Sequence, residues 1–124
     1  MKKEDICNLI IIDPQNDFVD PNGSLYAGNA CKKALDKIVE LIRYNKFDNI
    51  YITKDMHPDD HCSFESQGGK WSTHCVANTK GTEVSQVIMD ILNEKNISVN
   101  NVQKDNITFF HYFERISIIL FLLN

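Results

Sequence analysis

The chain has 124 residues, the size of one domain, with 43% hydrophobic and 24% charged residues, which excludes wholesale disorder. A net charge of -4 without any lysine–arginine cluster argues against nucleic acid and points to a small neutral or weakly charged ligand. Cys7, Cys31, Cys62 and Cys75 form no C-x-x-C pair, so neither a disulfide framework nor a zinc ribbon is expected, and reduced thiols suit a cytoplasmic protein.

In chain order, residues 6–12 read as a buried strand, short and rich in isoleucine, that stops at Asp13-Pro14. Cys7 lies inside this run and is expected to be buried. Residues 15–28 read as loop, with Asp20-Pro21-Asn22-Gly23 as a turn. A helix is predicted over 29–44, with Cys31, Ala34, Leu35, Ile38, Leu41 and Ile42 on its apolar face. Lys32, Lys33, Asp36, Lys37 and Glu40 form its solvated face. A second strand spans 49–54, and a long loop follows over 56–80, a length that in compact domains is often functional. A second helix over 82–93 turns Val84, Val87, Ile88, Ile91 and Leu92 inward, and a third strand covers 98–103. No signal peptide is visible at the N-terminus, and the apolar run 116–123 is too short to span a bilayer.

Strand, helix, strand, helix, strand favours an α/β fold with a parallel sheet. In such sheets, ligands bind beyond the carboxyl ends of the strands. Here those ends carry Asp13, Asp55 and Lys104. Asp55 and His57 share a face of an extended segment, and His74, later in the loop, can close a site from the other side. One carboxylate and two imidazoles suit zinc, iron or manganese. The alternative for each histidine is a turn cap or a solvated loop position. Phe18 and Trp71 taken alone read as packing residues.

Three blocks carry a family resemblance. They are Leu9-Ile10-Ile11-Ile12-Asp13-Pro14-Gln15-Asn16-Asp17-Phe18, Thr53-Lys54-Asp55-Met56-His57-Pro58-Asp59-Asp60-His61-Cys62-Ser63-Phe64, and the segment from Gly69-Lys70-Trp71-Ser72-Thr73-His74-Cys75 to Glu83. In this order they resemble the nicotinamidase branch of the isochorismatase-like cysteine hydrolases, over roughly residues 5–105. The resemblance implies a three-layer sandwich on a parallel sheet, with the C-terminal part of the family domain missing. It implies hydrolysis of nicotinamide, or a similar small amide, to the acid and ammonia through a cysteine thioester. Asp13 would be the general base and Lys104 its partner in the triad. Asp55, His57 and His74 would hold a divalent metal (zinc, iron or manganese), and Phe18 and Trp71 would hold the pyridine ring. His61, Ser63 and Glu65 would surround the metal ligands.

The family pattern continues with a G-x-x-T-x-x-C-V segment that carries the nucleophile. Residues 106–124 contain none, and neither Cys62 nor Cys75 is an obvious substitute. The chain is therefore expected to be one incomplete domain over 1–124, a truncated member with 106–124 as an unassigned tail. A catalytically inactive remnant that binds only metal or ligand is the competing expectation. The expected partner is a small-molecule substrate, with no nucleic acid, no membrane, and homo-oligomers open.

Overall fold

The computed structural model describes residues 6–104 and 118–121. Its elements are β1 (Asn8–Ile12), α1 (Asn16–Val19), α2 (Ala30–Tyr44), β2 (Asn49–Asp55), α3 (Gln86–Glu94), β3 (Asn100–Lys104) and β4 (Ile118–Phe121), with single 3-10 turns at Glu65–Gln67 and Lys80–Thr82. The sheet order is β3-β2-β1-β4, and all three pairings are parallel. The expected α/β parallel architecture is present.

Residue alternation along the strands sorts the core. Leu9 and Ile11 stand in register with Ile50 and Ile52, so all four project from one face. That face receives Cys31, Leu35, Ile38 and Ile42 of α2 and Ile88, Ile91 and Leu92 of α3, in one buried apolar cluster. Burying each of these aliphatic side chains contributes about 1.5–3 kcal/mol of transfer free energy. The charged positions of α2 stay exposed, as its periodicity requires.

The structure departs from the expectations at several places. Residues 15–28, expected as loop throughout, include α1, a single turn too short to leave a periodic signature. Strand β1 begins at Asn8, so Ile6 is exposed and Cys7 is exposed instead of buried. There the backbone N–H of Cys7 donates to Asp48 Oδ2 at 2.7 Å, ahead of the ladder. The second helix starts at Gln86 instead of residue 82. Thr82 belongs to the preceding 3-10 turn, and Val84 forms an antiparallel bridge with Gln15. Val87 is consequently exposed, while Val84 still packs against the core from outside the helix. Residues 118–121, expected within an unassigned tail, form β4 along the edge of β1, where a short apolar run satisfies backbone groups that an edge leaves open. Calls on residues 105–117 and 122–124 lie outside the described residues. Among the described residues, no helix is long and apolar enough to cross a membrane.

Candidate metal-binding and substrate site

With β1, β2 and β3 parallel and adjacent, their carboxyl ends share one edge of the sheet. Asp13 follows β1, Asp55 ends β2, and Lys104 ends β3 in register with Asp55. The three strand ends singled out in the sequence thus meet at one edge, with Asp55 in the middle. The Lys104 side chain lies outside the described residues, so its placement is that of its backbone.

Asp13 adopts φ 50, in the left-handed region that aspartate tolerates better than most residues. Its N–H donates to Thr53 O at 3.1 Å, and the buried Thr53 hydroxyl donates to Asp13 Oδ1 at 2.7 Å. The carboxylate is thereby tied to the neighbouring strand. Asp13 also lines a small pocket of about 150 Å³ with Ile12, Phe18 and Ala27. The Phe18 ring reaches on to His74, with centroids 5.6 Å apart.

Asp55, His57 and His74 each offer one ligand atom, and these atoms lie within 4.8 Å of one another. The loop brings His74 back to His57 through a short parallel bridge, His57 to Val76. In it, His57 N–H donates to Cys75 O and Ala77 N–H donates to His57 O, both at 2.9 Å. His57 Nε2 stands 3.8 Å from Asp55 Oδ2. His74 Nδ1 lies 2.7 Å from Ser72 O. A carbonyl oxygen only accepts, so Nδ1 carries the hydrogen and Nε2 keeps the ring's lone pair. One oxygen and two imidazole nitrogens at this spacing fit a divalent transition metal. This is the cluster of that kind among the described residues.

Around it, His61 stacks on His57 with centroids 4.1 Å apart. Its Nδ1 accepts from the Ser63 N–H at 3.3 Å and meets the Ser63 hydroxyl at 2.6 Å. Glu65 is exposed. Phe64 is fully buried and packs its ring against His57, His61 and His74. Trp71 is 53% exposed. Its backbone is fixed against the Ser63–Glu65 segment by Trp71 N–H to Ser63 O at 3.0 Å and Glu65 N–H to Trp71 O at 2.7 Å. Trp71 does not line the pocket shared by Asp13 and Phe18. Of the two candidate nucleophile substitutes, Cys75 is buried and Cys62 is exposed.

Sequence reading singled out no role for Gln15, Asp17 or Thr82. Gln15 is fully buried and its amide joins Asp55 to Thr82. Asp17 accepts the Cys75 N–H at 2.8 Å. The available signal was a dense run of hydrogen-bonding side chains, Asp13 to Asp17, placed directly after a buried strand at its ligand-facing end.

No family model matches the chain. The nicotinamidase of Saccharomyces cerevisiae is 30% identical, in an alignment covering 73% of this chain and 54% of the relative. Among solved structures, PnC1 from L. infantum in complex with nicotinate has a TM-score of 0.66 and 32% identity, covering 80% of this chain and 47% of its own. The pyrazinamidase of Pyrococcus horikoshii in complex with zinc has a TM-score of 0.61 and 33% identity, covering 78% and 50%. The chain spans about half the length of the curated relatives it matches.

Proposed function

Because the chain belongs to the nicotinamidase family and shares part of its isochorismatase-like fold, we propose that it carries the metal-binding and general-base half of a small-amide hydrolase site. The substrate class is nicotinamide and close ring analogues such as pyrazinamide. The observation that carries this reading is the convergence of Asp55, His57 and His74 at the sheet edge that also holds Asp13.

In this reading Asp55, His57 and His74 hold a zinc, iron or manganese ion, which when bound supplies a Lewis-acidic anchor for the pyridine nitrogen. Phe18, whose ring already touches His74, lies against the substrate ring, and Trp71 closes over it from the exposed side of the loop. Asp13 takes the proton of the attacking thiol and returns it to the departing nitrogen. Lys104, at the end of β3, favours the charged forms. The thiolate sulfur bonds to the amide carbon, the carbon–nitrogen bond breaks, ammonia leaves, and water hydrolyses the thioester to the acid.

The four cysteines within residues 1–124 do not supply that thiol from an evident position. Cys31 and Cys75 are buried, Cys7 precedes the opposite end of β1, and Cys62 is exposed in the loop. This observation favours a second reading, in which the 124-residue chain binds metal and pyridine ligands without turnover. Ammonia release from nicotinamide, with zinc, iron or manganese supplied, separates the two. Turnover lost in Cys62→Ala or Cys75→Ala identifies a recruited nucleophile. Soluble, metal-loaded protein without turnover supports the binding-only reading. Stoichiometric metal should disappear in His57→Ala and His74→Ala, and unchanged metal content in both overturns the site.

A further inference from the structure

The side chains of Asp13, Gln15, Asn16 and Asp17 bond to residues 40 to 67 positions further along the chain. Gln15 is completely buried, and its side-chain amide bonds both backbone groups of one residue, Asp55. Its Oε1 accepts the Asp55 N–H at 2.8 Å, and its Nε2 donates to Asp55 O at 2.6 Å. The same Nε2 lies 2.8 Å from Thr82 O and 3.0 Å from Thr82 Oγ1, and that hydroxyl donates to Asp55 O at 3.1 Å. Asp55 is thus held at the last position of β2, two residues beyond the last β1–β2 pair, Ile12 with Thr53.

Two residues on, Asp17 Oδ2 accepts the N–H of Cys75, the residue after His74, at 2.8 Å. Cys75 is fully buried at φ 48, a left-handed conformation that costs a side-chain-bearing residue energy unless its surroundings hold it. A Cβ on Gly81 would overlap the Asp17 carboxylate, so glycine there leaves the room that this contact needs.

We propose that Gln15 and Asp17 are positioning residues for the three-ligand set, Gln15 fixing Asp55 and Asp17 fixing His74 through the Cys75 N–H. The inference rests on the reading of Asp55, His57 and His74 as metal ligands. Side chains that orient metal ligands typically change metal affinity by about 10- to 100-fold when removed. A role confined to stability would leave affinity unchanged in protein that stays folded.

The test is zinc calorimetry on the 124-residue chain, with the visible spectrum of bound cobalt(II) as a reporter of ligand geometry. Gln15→Glu keeps the size of the side chain, but its carboxylate cannot donate to Asp55 O. Asp17→Ala removes the acceptor for Cys75, whereas Asp17→Asn retains an accepting oxygen. Gln15→Glu and Asp17→Ala should weaken zinc binding by about 10- to 100-fold and shift the cobalt bands, while Asp17→Asn keeps wild-type affinity. Folded Gln15→Glu and Asp17→Ala with wild-type affinity and spectrum would overturn this inference alone. Zinc uptake that is absent in wild type, or that persists in His57→Ala, would overturn the metal reading and this inference with it. Should a variant fail to fold, amide exchange in the unsubstituted chain decides. The N–H groups of Asp55 and Cys75 should be protected, and exchange of either at the rate of an open chain overturns the proposal.

Discussion

Phe64 has no chemistry of its own, yet its ring packs against His57, His61 and His74 at centroid distances of 5.7, 5.6 and 5.3 Å. It is fully buried. Truncation to Ala should therefore cost about 3–5 kcal/mol and leave a void into which the imidazoles can turn. Phe64→Leu keeps most of the volume and loses the flat faces, so it should weaken zinc binding more than it lowers the melting temperature. Thermal melts paired with zinc titration check the ordering. Thiol chemistry gives a second residue-scale prediction. Cys7 and Cys62 are exposed, whereas Cys31 and Cys75 are buried, and burial also pushes the Cys31 thiol above its ordinary range. Native protein at neutral pH should react quickly with a thiol reagent at two cysteines, and the other two should appear only on denaturation. Fast modification of Cys75 would instead reopen it as a nucleophile. At this scale the sequence was partly legible. Asp13, Asp55, His57 and His74 stood out because their chemistry is visible in their types and spacing. The roles of Gln15 and Asp17 were not, because Gln15 bonds across 40 and 67 positions and Asp17 across 58, separations to which local pattern is blind.

Helices α2 and α3 show why periodicity locates the middle of an element better than its ends. The predicted apolar face of α2 is buried at Cys31, Leu35, Ile38 and Ile42, with Ala34 and Leu41 half-buried at its margins. Helix α3 begins at Gln86 instead of residue 82 because Val84, which fits the spacing of Val87, Ile88 and Ile91, is claimed by a bridge with Gln15, as Thr82 is by hydrogen bonds to it. Such tertiary contacts override a propensity worth only fractions of a kcal/mol per residue. The end of α3 has a local cause. Asn96 adopts φ 53, and the Ile97 N–H returns to Leu92 O at 2.9 Å while its side chain packs on the core. This is a Schellman-type ending with asparagine at the left-handed position. Asn96→Val should cost about 1–2 kcal/mol, since a branched side chain tolerates that conformation poorly. Asn96→Gly should be close to neutral. Urea denaturation of the two variants checks both signs, and a Val variant as stable as wild type would mean that α3 ends otherwise.

At the scale of the molecule, the order β3-β2-β1-β4 runs outward from β1 to β3 and then returns to the other side of β1. Ligand crevices form at such reversals, beyond the carboxyl ends of the strands. Asp13 stands at the carboxyl end of β1, so the reversal places the general-base candidate at that crevice. The sequence revealed the first three strands and the shared edge, because each apolar run ended at a residue with chemistry. It did not reveal β4, because a short apolar run has no period to distinguish a strand from an unstructured tail. The parallel register of β4 with β1, with Leu9 opposite Ile119, makes a specific demand on the backbone. The Asp13 N–H points to β2, so by alternation Asn8 and Ile10 turn their backbone groups to β4, and the N–H of Ile119 points back at β1. Proline at 119 lacks that N–H and does not fit the ladder. If β4 is part of the cooperative sheet, Ile119→Pro should lower stability by about 1–3 kcal/mol, the cost of leaving a buried backbone group of β1 unpaired. It should also raise aggregation, because the edge of β1 is then available to other chains. Ile119→Val, which keeps the N–H and suits a strand, should do neither. Melting temperature and light scattering on the two variants give the answer. Equal behaviour of Ile119→Pro and wild type would mean that β1 draws no stability from this neighbour. In that case the zinc affinity of the two proteins should also agree, because Asp55, His57 and His74 all lie on the β2 side of the sheet.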